Sequence, residues 1–149
     1  MDPSDFLATA EDLLALPTAR EADLRSAVSR AYYAVYHRIS KAVIADIDLQ
    51  LRQETGLGNR HRVPHDPLVS KLKNCGDSTV EEIGIGMAAL LGERLTSDYR
   101  LDQTVRAPHA KGVVSDAKVL LKKVDDLGPP RIAAALEAYL RGLRPAQGV

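Results

Sequence analysis

The stretch Ser29-Arg30-Ala31-Tyr32-Tyr33-Ala34-Val35-Tyr36-His37 lies inside a run from Thr18 to Asp46 that contains neither Gly nor Pro. Such a run predicts one helix of about 26 residues starting after Thr18, roughly 40 Å long at about 1.5 Å per residue. At about 100° per residue, Leu24, Val28, Ala31, Tyr32, Val35, Tyr36, Ile39, Ala42 and Val43 fall on one apolar arc, which must face a core. Ser26, Arg30, Tyr33, His37 and Lys41 fall on the opposite side, all within about 60° of Arg30. Tyr32 and Tyr36 therefore read as packing residues whose hydroxyls need buried partners. The polar stripe is either a solvated face or one wall of a groove made with something else, such as a second copy of the chain.

Apolar residues also recur at spacings of three and four on both sides of this helix, and alternating stretches are absent, so the pattern predicts an all-α chain. A first helix is expected from Ser4, as N-cap, through Phe6, Leu7, Ala10, Leu13 and Leu14, until Pro17 interrupts it. From Asp48 to Pro64 the periodicity fails at Gly56 and Gly58, and Arg52, Arg60, His61, Arg62 and His65 gather in what reads as a basic loop. With Lys71 and Lys73, that region sets five cations against two carboxylates, Glu54 and Asp66, before any His protonation. A third helix is expected with Asp66 as N-cap and Pro67 as its first residue, burying Leu68, Val69 and Leu72 and stopping at Gly76. Ser78 and Glu81 are spaced as a capping box for a fourth, running to Tyr99, in which Gly84, Gly86 and Gly92 each cost about 1 kcal/mol relative to Ala. A fifth runs from Pro108 to Leu127, ended by Gly128, Pro129 and Pro130. A tail helix from Arg131 to Leu143 carries an apolar side of Ile132, Leu136, Tyr139, Leu140 and Leu143 that docks on the bundle or on a partner. The expected architecture is an antiparallel four- or five-helix bundle over residues 4–127, with residues 131–143 as a C-terminal docking helix of the same domain.

The 149 residues, 45% hydrophobic and 27% charged, suit one core that needs neither a metal nor a disulfide for support. Lys plus Arg equals Asp plus Glu, so the net charge is zero. That balance excludes a whole-protein polyanion coat, and any nucleic-acid site must be local. The single Cys75 suggests a reducing compartment and, without a neighbouring CxxC, reads as an inert thiol. The acidic start Met1-Asp2-Pro3-Ser4-Asp5-Phe6 and the lack of an apolar run of roughly 20 residues predict a cytoplasmic protein with no membrane contact. No cofactor is expected, because Gly84-Ile85-Gly86 falls within a helical pattern rather than after a strand. No metal is expected either: His61 and His65 have the spacing of a ligand pair, but Pro64 resists the helix that would align them.

The segment Ser29 to His37 resembles the S-R-x-Y-Y-A-x-[FY]-H signature of the HEPN helical bundles (higher eukaryotes and prokaryotes nucleotide-binding). His65-Asp66-Pro67-Leu68-Val69 is similar to that family's His-led middle helix, and Arg94-Leu95-Thr96-Ser97-Asp98-Tyr99 to its R-x-x-[AS]-D-Y segment. The resemblance covers Phe6 to Val124. It implies a bundle that pairs as a homodimer and acts as a metal-independent endoribonuclease in toxin or defence systems, on single-stranded RNA. Catalysis in such proteins relies on an Arg followed, after four to six residues, by a His. Arg30 and His37 fit that rule on the long helix, and Arg60 and His65 fit it in the loop. Asp98 stands where many nuclease members carry a His. The resemblance equally accommodates a non-catalytic module that binds RNA, a nucleotide or a protein partner such as a nucleotidyltransferase antitoxin.

Chemistry explains why one such pair suffices. When an RNA 2′-OH attacks its own phosphodiester, the nucleophile belongs to the substrate, so a base that exchanges protons near neutral pH and a cation on the phosphorane oxygens are enough. Arg30 and His37 are the expected catalytic pair, with Tyr33, Lys41, Arg60, Arg62, His65 and Arg94 as substrate contacts. Asp98 and Tyr99 are expected to be structural, with Arg94 and Asp98 spaced for an ion pair on one helix face.

Overall fold

In the computed structural model, which describes residues 1–144, the Gly- and Pro-free run forms a single helix, α2 (Glu21–Asp46). Four helices pack directly against it: α1 (Ser4–Leu14), α5 (Ser78–Tyr99), α6 (Ala107–Leu127) and α7 (Pro129–Leu143). α4 (His65–Lys73) lies on α5, and the short α3 (Leu49–Glu54) lies beside α7. The described residues are all-α, with seven helices and no strand. None of these helices is long and apolar enough to cross a membrane.

Being surrounded changes how much of α2 is buried. The predicted arc goes inside, apart from the half-buried Ala42, and Ala27, Ala34 and Ser40 join it because neighbours cover more than one side. The α7 stripe behaves similarly: Ile132, Ala133, Leu136 and Leu140 are buried, while Leu143 is left exposed.

Several ends differ from the sequence expectation because caps come from neighbouring positions. Ser4 is the first helical residue and not the cap; its N–H and hydroxyl both donate to Asp2 Oδ1. α2 begins at Glu21, where Asp23 accepts from the Arg20 N–H at 2.9 Å, rather than directly after Thr18. α4 begins two residues early, at His65, so Asp66 lies in its first turn. At α5 the cap is Asp77, which accepts from Thr79 and Val80 N–H, and Glu81 accepts from Gly76 N–H instead of closing a box with Ser78. Pro129 opens α7 rather than merely closing α6, since Pro lacks only an N–H that the first turn leaves unpaired.

The expected loop at 48–64 contains a helix. Asp48 accepts from Leu51 N–H to start α3, and Arg52, only 3% exposed, turns inward. Its Nε donates to the Ile47 carbonyl at 3.1 Å and its Nη1 to the Asn59 carbonyl at 2.5 Å. Arg52 is thus a structural strut and leaves the basic cluster. Arg25 plays a matching part at the far end of α5, donating to the Thr96, Ser97, Arg100 and Gln103 carbonyls.

The α5 glycines have different costs. A Cβ on Gly84 would meet Lys73 N at 2.7 Å and the Leu72 carbonyl carbon at 2.9 Å, so its absence is what lets α4 lie against α5. A Cβ on Gly92 would meet nothing within 4 Å. Chemical denaturation should therefore give opposite signs: Gly84→Ala loses about 1–3 kcal/mol through backbone overpacking, and Gly92→Ala gains about 0.5–1 kcal/mol from helix propensity. A stabilised Gly84→Ala would contradict the close approach.

Candidate functional site

Along α2 the side chains of Arg30, Tyr33, His37 and Lys41 follow one another at three- and four-residue steps, and α1 lies over the middle of that row. Phe6, the only phenylalanine in the chain, inserts there. Its ring stacks on His37 with centroids 5.0 Å apart and leans on Tyr33 at 6.2 Å, while Tyr33 and His37 stack at 5.6 Å. The stripe is therefore divided. Ser26, Arg30 and Lys41 are exposed, whereas Tyr33 and His37 are half-buried against α1.

Where α1 and α2 diverge from the segment ahead of α4, a cleft of about 690 Å³ opens. Phe6, Tyr33, Tyr36, His37 and His65 supply rings to its wall, and Lys41, His61 and Arg62 supply polar groups. Tyr36 and His65 stack at 4.1 Å. Two phenols hold this wall in place: Tyr36 donates to the Val63 carbonyl at 2.5 Å, and the Tyr32 hydroxyl shares a 2.6 Å hydrogen bond with His65 Nδ1. These contacts supply the partners that two buried hydroxyls require.

Burial dominates the electrostatics. It lowers the basicity of His37. It also lowers that of His65, to about 4, helped by the Arg94 and Arg62 charges nearby. The Tyr32 and Tyr36 phenols that brace the wall are pushed up from their usual value, again first by burial. The Arg62 charge acts on Tyr36 as well as on His65, so its guanidinium stands close to both.

Some expected site residues meet here and others do not. His37, Tyr33, Lys41, Arg62 and His65 line the cleft, while Arg30 and Arg60 are exposed and do not. The Arg30 guanidinium lies 6.0 Å from the Phe6 ring centre, so it shares that ring with His37 without joining the cleft wall. Arg94 is engaged from behind: its Nε pairs with Asp98 at 2.9 Å and its Nη2 donates to the Tyr33 hydroxyl at 2.9 Å. Ser29 also donates to Asp98, at 3.3 Å. The Tyr99 ring is 66% exposed, with the Arg94 guanidinium 5.7 Å from its centre. Among the described residues no group of His, Cys, Asp or Glu could hold a metal ion.

Compared with family models, curated proteins and solved structures, the chain has no match. Its site must therefore be read from its own geometry.

Sequence reasoning passed over Phe6 and gave Tyr36 wholly to the core. A lone aromatic in an otherwise acidic, aliphatic α1 was the available signal for Phe6. Tyr36 carried none, because a side chain only 4% exposed can still present a ring edge to a cleft.

The depressed His65 has a consequence for stability. Above the usual value of 6.5 it is neutral whether folded or unfolded; between 6.5 and about 4 the unfolded chain takes the proton first, so stability falls as pH falls through that window. After allowance for partial solvent contact, the loss is about 1–2 kcal/mol. In urea denaturation at pH 7.5 and 4.5, His65→Asn should show a pH-dependent loss smaller by that amount than the parent protein. Equal losses would refute a neutral, buried His65.

Proposed function

We propose that this chain is a HEPN-type bundle of the toxin or defence class, acting on single-stranded RNA as a metal-independent endoribonuclease through the cleft between α1, α2 and the segment ahead of α4. The observation that carries this reading is the company His37 keeps: an imidazole that stacks on both Phe6 and Tyr33, in a ring-lined cleft that also holds Lys41 and Arg62. Exposed bases stack on such rings, and the cations offer a path for the phosphates.

In this reading His37, left neutral at pH 7 by burial, takes the proton of the substrate 2′-OH as that oxygen bonds to phosphorus. The bond from phosphorus to the 5′-oxygen breaks, and that oxygen collects a proton, leaving a 2′,3′-cyclic phosphate and a 5′-OH. A guanidinium fork steadies the phosphorane charge. Within one chain the cleft arginine is Arg62, and Arg30 enters through a homodimer, when a second copy brings its exposed α2 flank to the cleft mouth. The composite arrangement brings two His37 side chains to one groove, and the imidazolium formed when one takes the 2′-OH proton is the source of the proton that the departing 5′-oxygen collects.

A second reading is favoured by Asp98. Its carboxylate holds Arg94 at 2.9 Å, where a His would otherwise carry a proton, and His65 is too weakly basic to donate one at neutral pH. On that reading the cleft binds RNA or a nucleotide without cutting it, or the bundle serves a protein partner such as a nucleotidyltransferase antitoxin.

Labelled single-stranded RNA incubated in EDTA separates the readings. The expected result is cleavage by the parent protein that drops about 100-fold or more in His37→Ala and clearly in Arg30→Ala. Its acid limb should lie below the usual imidazole range, because a lowered pKa keeps the base unprotonated at more acid pH. No cleavage by the parent, or full activity in both variants, rejects the nuclease. Binding without cleavage, lost when Arg60 and Arg62 are neutralised together, supports the second reading. A light-scattering mass of one chain removes the composite site.

A further inference from the structure

Beyond the Arg62 side chain the cleft is followed by a second depression, of about 380 Å³, lined by Asn59, Arg62, Pro64, His65, Asp66 and Pro67. Arg62 and His65 belong to both hollows. Each volume lies within the roughly 300–1,000 Å³ of ordinary ligand sites. The two linings differ in kind. The first offers stacked rings, and the second offers two proline faces, one amide and one carboxylate.

From this we infer that the site takes a dinucleotide step, with one base on the aromatic wall, the next base in the Asn59–Asp66 hollow, and the phosphate joining them at Arg62. The inference rests on the nucleotide-binding reading proposed above and adds to it a length and a hydrogen-bonding second subsite. Arg62 makes no salt bridge among the described residues, and it stands on the ridge where a linking phosphate would pass. A guanidinium fork suits two phosphate oxygens.

The second hollow also has a hydrogen-bonding sense. Asn59 Oδ1 already accepts from the His61 N–H at 3.0 Å, which leaves the Asn59 amide to donate. Its backbone carbonyl is held by Arg52, so the loop presents that amide from a braced position. Asp66 can only accept when ionised. A base that fits both presents an acceptor beside a donor, as adenine and cytosine do with an exocyclic amine, and guanine offers Asp66 its amine and ring N–H. Uracil meets the same pair through its ring N3–H, which donates to the carboxylate, and a flanking carbonyl, which accepts from the amide, so the hollow asks for a donor beside an acceptor rather than for one base.

Calorimetric titration tests this with AMP, UMP, and the adenine and uracil dinucleotides, each dinucleotide carrying hydrogen in place of the 2′-OH next to its phosphate so that cleavage cannot intrude. The adenine dinucleotide should bind at least about tenfold more tightly than AMP, since the second contact is then intramolecular. The uracil dinucleotide should likewise gain over UMP, since its N3–H and carbonyls meet the same two groups. Asp66→Ala, and Asn59→Asp, which keeps the acceptor for His61 N–H but loses the amide donor, should each bring the adenine dinucleotide back toward the AMP affinity. Equal affinity of AMP and the adenine dinucleotide, or a gain untouched by both variants, overturns the two-hollow inference while nucleotide binding stands. Failure of every probe and of a longer single-stranded RNA to bind overturns the inference and the reading beneath it together.

Discussion

Everything at the cleft depends on two phenols that cannot be left dry. Tyr32 and Tyr36 are one turn apart on α2 with their rings in the core, and an unpaired buried hydroxyl costs about 1–3 kcal/mol. Their partners, the Val63 carbonyl and His65 Nδ1, lie on either side of Pro64, in a stretch extended enough to reach both. The demand for two hydrogen bonds inside the core thus ties the segment ahead of α4 to α2. It also carries His61 and Arg62 to a position beside His37.

The same bundle sorts its cations by task. Arg25 and Arg52 spend their donors on carbonyls that helix ends and loops leave unpaired, and Arg94 is neutralised by Asp98 while supporting the Tyr33 hydroxyl. Arg38 bridges Asp2 and Asp125. Lys41 and Arg62 form no such pair among the described residues and face the cleft. A chain of zero net charge therefore presents a local positive site, made by consuming most of its other arginines internally. His65 follows the same rule in reverse: burial and two neighbouring guanidinia keep it uncharged, which suits a wall and not a proton donor.

Much of the fold was legible in the residues. The periodicity of α2, α5 and α6 predicted their extents closely, because apolar spacing over five or more turns leaves little freedom. The helix starts were less legible, since several polar residues stand near each one and geometry chooses which side chain reaches the free N–H groups. The short α3 was hidden because its six residues are too few for a period, and because Arg52 reads as a solvated cation until the Ile47 and Asn59 carbonyls are seen around it. Of the site, the row Arg30, Tyr33, His37 and Lys41 was visible as one flank. Its division by Phe6 was not.

The sequence by itself determined that the chain is helical, that α2 is its longest element, and which α2 side chains share a side. These follow from 3.6 residues per turn, which is a local property. Tertiary structure alone decided that α1 covers half of the polar flank, that His37 meets Arg62 and His65 rather than Arg30 in one cleft, and that Arg94 is already occupied. Those neighbours stand 33 to 61 residues apart in the paired contacts Tyr32–His65 and Tyr33–Arg94, and no local period carries information over such a separation.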